Sequence, residues 1–176
     1  MITFRHIDYE DLEMVGRWRE KPRVTKYMAT DCLYSEEAQR KWFEGLVEKA
    51  MRKLTWVIEC DFKPIGLINM ADTSWMNRKT SWGYYIGEDE YTHLGAFIPC
   101  YFYNMIFSKR FNTIQAEVFS DNKPVIAMHL LHGYEIMGVD IGGVKKNGKS
   151  HDITIMQLAR ETWESKKRFH HLEWKQ

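Results

Sequence analysis

The sequence has few cysteines, little net charge and no long apolar run, and each shortage excludes a class of protein. Its three cysteines, Cys32, Cys60 and Cys100, are widely spaced and form no CxxC pair, so neither a disulfide framework nor a zinc site is predicted. The formal net charge is +1, without the basic excess typical of proteins that bind nucleic acids or membrane surfaces. No segment reaches the roughly 18 apolar residues of a membrane span.

The N-terminal segment and the cysteines together predict the compartment. The chain begins MITFRHIDYEDLE, with charged residues where a secretory signal peptide has its apolar core. Three thiols without a pairing pattern fit a reducing environment. We therefore expect a cytoplasmic protein.

Apolar residues are abundant enough to build a large core. The 176 residues are 44% hydrophobic and 14% aromatic, a composition that predicts one folded domain over residues 1–176. The tail from 161 to 176 is charged and aromatic, and we expect it to pack loosely.

The hydrophobic period alternates between that of strands and that of helices along the chain. The predicted order is β-α-α-β-β-β-α-β-α-β-β, an α+β fold with a mixed, mostly antiparallel seven-stranded sheet flanked by helices. Only the strand–helix–strand piece at 81–119 needs a parallel neighbour reached by a crossover. The predicted strands are 2–7, 54–60, 64–72, 81–87, 112–119, 133–143 and 151–159.

Several element boundaries follow from single residues. Asp8 and Ser35 are predicted to cap the first two helices, because their side chains can accept hydrogen bonds from free amides at a helix start. Pro22 should end the first helix. Gly133 stands where a left-handed residue closes a helix, and Asn147-Gly148 is a strong hairpin signal.

The stretch SWGYYIGEDEYTHLGAF, residues 81–97, joins a strand to a buried helix through an acidic turn. Pro99 fits only the first turn of that helix, so the helix should begin near Gly95, and its first amides should lack carbonyl partners. Such amides form an anion site, although ordinary strand–helix packing explains the same pattern. The predicted phosphate-binding residues are Tyr91, Thr92, His93, Leu94, Gly95, Ala96 and Phe97.

A second segment, NKPVIAMHLLHGYE at 122–135, follows a strand directly. Together with the strand–turn–helix it resembles the Gcn5-related N-acetyltransferase (GNAT) superfamily, and the resemblance covers essentially the whole chain. It implies acetyl-CoA as cosubstrate, no metal, a pyrophosphate held at the 91–97 turn, and Asn122 beside the pantetheine arm. The positions that match the family's second segment are Asn122, Val125, Ile126, Met128, Gly133 and Tyr134.

Two departures from the family pattern bear on the site. The turn keeps only the last small pair of the family's phosphate loop, Gly95-Ala96, without the usual Arg or Gln, and it is one residue shorter than the commonest form. His129 stands where the family usually has a tyrosine that protonates the departing thiolate.

The resemblance also implies catalytic roles. A backbone amide at Ile86 or a neighbour should polarise the thioester carbonyl. Glu88, at the strand end, is the first candidate for the base that receives the amine proton, and a solvated turn carboxylate is the alternative. His129 is the candidate acid, and a core histidine bonded to a carbonyl is the alternative.

The acceptor is predicted from sequence similarities that are less specific than those that indicate the superfamily. The segments 18–28, 42–44, 81–88 and 144–158 are similar to N-acetyltransferases that act on nucleotide-linked amino sugars, and most similar to those that acetylate the 4-amino group of UDP-linked altrosamine in pseudaminic acid synthesis. The substrate residues this predicts are Arg19, Met28, Trp82 and Tyr84.

Other functions remain open. The acceptor could be a protein N-terminus or a polyamine, although the first two helices offer mixed charge where a polyamine site needs several carboxylates. A non-catalytic domain that binds acyl-CoA or a partner protein is the alternative from a different class. The expected partners are a small-molecule amine, no nucleic acid and no membrane, with a homodimer possible.

Overall fold

The computed structural model describes residues 1–30 and 34–176. Cys32 lies outside the described residues. The strands are β1 (Ile2–His6), β2 (Thr55–Cys60), β3 (Lys63–Ser74), β4 (Lys79–Ile86), β5 (Thr113–Phe119), β6 (Glu135–Lys146) and β7 (Lys149–Ala159). The α-helices are α1 (Leu12–Glu20), α2 (Pro22–Thr25), α3 (Glu36–Glu48), α4 (Ile98–Ser108), α5 (Lys123–His132) and α6 (Arg160–Ser165). Short 3₁₀ helices cover Tyr9–Asp11, Met51–Leu54, Asp89–Leu94 and Lys167–Phe169.

The strands form one seven-stranded sheet in the order β1-β2-β3-β4-β5-β7-β6. β1 pairs antiparallel with β2, and β2 with β3. β5 and β6 both pair antiparallel with β7. The parallel ladder joins β4 to β5 over three residue pairs, Lys79–Ser81 with Thr113–Gln115. The predicted α+β class, the seven-stranded sheet and the parallel pairing reached by the crossover are confirmed, while α2 and α6 are short helices that the predicted order lacked.

Local capping explains where several elements begin and end. The Asp8 carboxylate accepts from the Tyr9 amide at 2.7 Å, and the Ser35 hydroxyl accepts from the Ala38 amide at 3.0 Å. Gly133 closes α5 with φ +101°. Pro22 does follow the end of α1, but it also opens the short helix α2, because proline lacks only an amide that a first helical turn leaves unused.

The chain divides into two compact units. Unit 1 comprises Met1–Met70, Gly83–Gly95 and Lys175–Gln176, and unit 2 comprises Ala71–Trp82 and Ala96–Trp174. A single domain over 1–176 stays a prediction. The core of unit 1 is apolar and joins the first strands to α1 and α3 through Ile7, Leu12, Val15, Trp18, Phe43, Val57 and Leu67.

The core of unit 2 is aromatic and includes part of the C-terminal tail. Trp163 is only 1% exposed, donates its indole N–H to Asn104 at 2.8 Å and stacks on Phe169. The Asn104 amide nitrogen donates to the carbonyls of Phe169 and Leu172 at 3.0 and 2.8 Å. Trp163 thus packs into this core, whereas residues 164–176 are all exposed or half-buried, and the loosely packed tail stays a prediction.

Two negative findings apply to residues 1–30 and 34–176. No helix in these ranges is both long and apolar enough to cross a membrane. The same ranges contain no group of three or more His, Cys, Asp or Glu side chains arranged to hold a metal ion.

Candidate active site

The end of β4 is held by an unusual pair of backbone hydrogen bonds in unit 1. The amides of Gly87 and Glu88 both donate to the Ile65 carbonyl, at 2.7 and 3.1 Å. The neighbouring Gly66 allows this close approach, since a Cβ there would lie 2.2 Å from the Tyr85 carbonyl oxygen. Two of the amides near Ile86 are therefore already engaged.

Glu88 is positioned by α1 and is not a freely solvated turn residue. Its carboxylate accepts the indole N–H of Trp18 at 2.8 Å, and the Lys21 ammonium lies 4.0 Å away. Lys21 also donates to the Gly87 carbonyl at 2.7 Å. Trp18 lies directly over Gly87, where an added Cβ would come within 2.1 Å of the indole ring. The Glu88 side chain is 32% exposed, so it is both oriented and reachable.

Arg23 of α2 also binds the end of β4. Its guanidinium donates to the carbonyls of Ile86 and Gly87 at 2.8 and 3.2 Å and pairs with Asp89. This hydrogen-bonded partner lowers the pKa of Asp89. Sequence reasoning missed Lys21, Arg23 and the Trp18–Glu88 contact, because each joins residues more than 60 positions apart and none has a local signal.

A pocket of about 450 Å³ opens beside Glu88 in unit 1. It carries both charge signs, and one of its ion pairs is internal, since Arg17 contacts Glu13 at 2.7 Å. The pocket can thus receive a molecule with both an amine and an anionic group. Its lining residues are Glu10, Glu13, Met14, Arg17, Trp18, Lys21 and Glu88.

The acidic turn after β4 is a 3₁₀ helix rather than an open turn. The Tyr91 amide donates to the Glu88 carbonyl at 3.2 Å, and the Gly95 amide donates to the Thr92 carbonyl at 3.1 Å. The expectation that these two amides are open is therefore wrong, because the tight helical turn uses them. The Tyr84 hydroxyl, predicted to contact substrate, donates to the Gly95 carbonyl at 2.7 Å and anchors the end of this turn.

Of the other predicted phosphate donors, Thr92, His93 and Leu94 lie in the 3₁₀ helix, whereas Ala96 and Phe97 directly precede α4 in unit 2. Ile98 and Pro99 occupy the first helical positions, and Ala96 and Phe97 are exposed. The amides of Ala96, Phe97 and Ile98 precede the first intrahelical hydrogen bond, so the helix leaves them free for another acceptor. With the positive end of the helix dipole they suit a phosphate oxygen.

Unit 2 also contains an aromatic cluster around α5, which we call the α5 cluster and define as Trp82, Tyr103, His129 and Tyr134. The Trp82 ring meets the His129 ring edge-on at 5.8 Å, and its indole N–H donates to the Tyr134 hydroxyl at 3.0 Å. The His129 and Tyr134 rings are 4.7 Å apart. The structure thus brings together Trp82, predicted as a substrate residue, and His129, predicted as the acid.

His129 is almost completely buried and uncharged at neutral pH. Burial, with a smaller contribution from His132, lowers the pKa of His129 to about 3. Its Nδ1 atom is buried without a hydrogen-bond partner among the described residues. Buried polar atoms usually have a partner, so this nitrogen is an exception that favours the acid role of His129, which stays a prediction.

Asn122 directly precedes α5, and His132 is its last residue. Asn122 is buried at the start of the helix, and its side chain makes no capping hydrogen bond. His132 Nε2 lies 3.7 Å from the Cys100 sulfur. Burial raises the pKa of the Cys100 thiol to about 12, which excludes it as a nucleophile at neutral pH.

The other two predicted substrate residues lie near the end of unit 1's first helices. Arg19 donates to the Thr30 hydroxyl at 3.1 Å, while its Nε is buried without a partner among the described residues. The Met28 amide donates to the Thr25 carbonyl at 3.0 Å. Neither contact reveals a ligand, so both assignments stay predictions.

Comparison with known proteins shows which family this fold resembles. The family model of the acetyltransferase (GNAT) domain matches residues 1–135. The fold is similar to that of spermidine N-acetyltransferase from Vibrio cholerae in complex with CoA and spermine, with TM-score 0.82 and 15% identity over 93% of this chain and 98% of that one. It is also similar to ribosomal-protein-alanine N-acetyltransferase from Brucella melitensis, with TM-score 0.70 and 17% identity over 89% of this chain and 98% of that one. No curated protein matches the sequence.

The family match covers well over half of the chain. GNAT acetyltransferases use acetyl-CoA as the acetyl donor. The chain belongs to the GNAT family, and it is an acetyltransferase.

Proposed function

We propose that the protein transfers acetyl from acetyl-CoA to the amine of a nucleotide-linked amino sugar, by direct attack of the amine on the thioester. The observation that carries this proposal is Glu88, oriented by Trp18 and Lys21 at the mouth of a pocket with mixed charge. An amino sugar attached to a diphosphate presents both an amine and an anion to such a pocket.

In this reaction Glu88 accepts the proton of the attacking amine. A sugar amine should titrate nearer an α-amino group, about 8, than a lysine side chain. A carboxylate held at 2.8 Å from an indole N–H is then a sufficient base for a group that is already partly neutral. The amine nitrogen bonds to the carbonyl carbon of acetyl-CoA as the carbon–sulfur bond breaks.

Main-chain amides bind the coenzyme phosphates and polarise the thioester carbonyl in this proposal. The amides of Ala96, Phe97 and Ile98 would hold coenzyme phosphate oxygens, and Ile86 would donate to the thioester carbonyl. We assign that role to Ile86 because the Gly87 and Glu88 amides are committed to Ile65. A donor of this kind typically lowers the transition-state energy by about 3 kcal/mol.

The departing thiolate takes a proton from one ring nitrogen of His129 in our proposal, while the other ring nitrogen takes up a proton in its place. Since the pKa of His129 is lowered to about 3 by burial, the ring is neutral before and after this exchange and no imidazolate forms. The net proton gained by the sulfur is the one that the amine has released. The unpartnered Nδ1 supports this role over a purely structural one. The α5 cluster keeps water away, which favours transfer to sulfur over exchange with solvent.

The pocket's two cations favour a phosphorylated acceptor. Lys21 and Arg17 line it, and cationic side chains of this kind pair with diphosphate oxygens. We keep Arg19, Met28, Trp82 and Tyr84 as proposed acceptor contacts, and UDP-linked altrosamine as the acceptor with the greatest sequence support.

A polyamine is the second candidate acceptor. Three glutamates, Glu10, Glu13 and Glu88, line the same pocket and could bind several ammonium groups. The ion pair between Arg17 and Glu13 engages one of these carboxylates and one of the two cations alike, so the choice between the two acceptors depends on the sequence similarities.

A substrate panel tests both candidates. Release of CoA from acetyl-CoA would be measured with UDP- and TDP-linked amino sugars, with spermidine, and with an alanine-initiated peptide. We expect the highest kcat/KM with a nucleotide-linked sugar. Preference for spermidine would replace the acceptor, and tight acetyl-CoA binding without turnover on any acceptor would favour a binding domain instead.

A further inference from the structure

The peptide group that joins Ile86 to Gly87, at the end of β4, is hydrogen-bonded at both ends. Its N–H donates to the Ile65 carbonyl at 2.7 Å, and its C=O accepts from Nη1 of Arg23 at 2.8 Å. The same guanidinium donates to the next carbonyl, that of Gly87, at 3.2 Å, and Lys21 donates to this carbonyl at 2.7 Å. Two consecutive carbonyls at the end of β4 are therefore held by cationic side chains.

The Ile86 amide lies on the edge of β4 that faces away from β3. Both of its neighbours face β3, since a Cβ on Gly66 would lie 2.2 Å from the Tyr85 carbonyl oxygen and the Gly87 amide donates to the same strand. Consecutive residues of an extended strand direct their backbone groups to opposite edges, and the N–H and C=O of one residue share an edge. The Ile86 N–H therefore lies on the edge where the guanidinium meets the C=O of that residue.

The strand that pairs with this edge of β4 stops short of Ile86. Over the described residues, the parallel ladder with β5 covers only Lys79–Ser81 of β4. Backbone groups at an edge beyond the end of a ladder need other partners. Arg23 is such a partner for the Ile86 C=O, and the N–H of the same residue faces the same edge.

The guanidinium of Arg23 is itself held in one orientation. Its Nε and Nη2 atoms both donate to Asp89 Oδ1, while Nη1 and Nη2 donate to the two carbonyls. A planar guanidinium donates in fixed directions, so the carboxylate on one side of the group sets where the other side points. Lysine, with a single ammonium, cannot reproduce this set of contacts.

We propose that Arg23 is a positioning residue for acetyl transfer, in a role that rests on the oxyanion function proposed for Ile86. By holding the carbonyl of Ile86, Arg23 fixes the direction of the N–H of the same residue toward the thioester carbonyl. Peptide groups are planar, so fixing the plane after Ile86 restricts rotation of the plane before it. A donor that is oriented before the reaction needs no rearrangement when negative charge develops on the thioester oxygen.

Steady-state kinetics separates this role from a purely structural one. Arg23→Ala should lower kcat about 10-fold to 10²-fold, because a misdirected donor loses part of its effect on the transition state. The KM for acetyl-CoA and for the best acceptor should stay within about twofold, since Arg23 does not line the pocket. Arg23→Lys, which keeps one cation and protects the fold if the alanine variant is unstable, should recover part of the lost kcat.

The matched control for these kinetics is Asp89→Asn. This change removes the charge of an ion pair that is exposed on both sides, at 40% and 71% of the two side chains, and such pairs add little to stability. It leaves the carbonyl contacts of Arg23 in place, so kcat should change less than about threefold. Equal losses in Arg23→Ala and Asp89→Asn, or an Arg23→Ala defect confined to KM, would overturn the positioning role.

Infrared difference spectroscopy reads the donor without turnover or acceptor. With acetyl-CoA isotope-labelled at the thioester carbonyl carbon, the C=O stretch should lie at lower frequency on the unaltered protein than in free acetyl-CoA, and Arg23→Ala should return it toward the free value. The same displacement in both proteins would overturn the role of Arg23 and leave that of Ile86 intact. An undisplaced band in the unaltered protein would overturn both roles, whereas a wrong acceptor assignment alters neither spectrum.

Discussion

The end of β4 and the α5 cluster contain the two groups to which we assign proton transfer, and they are built in opposite ways. Glu88 is held by an indole N–H and approached by an ammonium, beside an open pocket. His129 is held by ring contacts and is 3% exposed. A base that must meet substrate and solvent needs polar support and access. An acid that must serve one sulfur atom benefits from a dry site, even though burial removes its positive charge.

The largest expected effect is the loss of activity on substitution of Glu88, at the end of β4. Glu88→Gln keeps the shape and the hydrogen bond to Trp18 but removes the base, so kcat should fall about 10² to 10³-fold with little change in KM. Steady-state kinetics with the best acceptor measures this. The control is Glu90→Gln, an exposed carboxylate paired with Lys63, which should change kcat less than twofold. A Glu88→Gln enzyme with nearly full kcat would contradict the base assignment.

The role of the buried His129 is tested by replacing it with tyrosine, the residue that the family usually has at this position. His129→Phe should lower kcat about 10²-fold because the thiolate loses its proton donor. His129→Tyr should recover most of the activity, since a phenol supplies an O–H at the same position of α5. If the phenylalanine and tyrosine variants are equally active, the donor lies elsewhere.

A methyl group added at Gly87 tests how much the Trp18 contact at the end of β4 contributes to the stability of the protein. Gly87→Ala should destabilise the protein by about 1–3 kcal/mol, because the new methyl group would overlap the Trp18 ring. Urea unfolding measures the change. Gly45→Ala is the matched control, because a Cβ there meets nothing within 4 Å, and it should stabilise α3 by about 0.5–1 kcal/mol. Equal effects at the two sites would show that the Trp18 contact is unimportant.

A further prediction is a pH dependence of stability caused by the buried histidines. Burial lowers the pKa of His129 to about 3 and, as the main contributor, that of His132 to about 4, against an ordinary value of 6.5. Below pH 6.5 the unfolded chain therefore binds protons that the folded chain does not, so the free energy of unfolding should fall as the pH is lowered from 6.5 towards 4. Each histidine contributes up to about 1.4 kcal/mol per pH unit.

Unfolding in urea at several pH values gives this slope. His129→Gln should reduce it by the contribution of one histidine. The exposed His93 provides the control, and His93→Gln should leave the slope unchanged. An identical slope in the His129→Gln variant and the unaltered protein would mean that His129 is protonated in the folded state.

Features with a local physical cause were predictable from the sequence. Asp8, Ser35 and Gly133 cap helices through atoms within a few residues of themselves, and the structure has these caps where they were predicted. The parallel neighbour between β4 and β5 followed from the length of the crossover. The resemblance carried by Asn122 to Tyr134 led to the family that the comparison shows.

Features that depend on distant contacts were not predictable. Trp18 and Glu88 are 70 positions apart, and nothing near either residue signals their hydrogen bond. The 3₁₀ helix at Asp89–Leu94 replaced an expected open turn. The cytoplasmic location, the acceptor and the roles of the site residues remain predictions, because each depends on a molecule or a compartment and not on the chain alone.

The pairing of β5 shows that the family match at residues 1–135 does not mark a boundary at which the chain can be cut. All seven residues of β5 pair with β7, from Thr113 with Ala159 to Phe119 with Ile153. A chain shortened to residue 135 would leave both the hydrogen-bonding groups of β5 and the aromatic core under Trp163 uncovered. We expect such a fragment to aggregate, so deletions designed from sequence matches alone would give insoluble protein.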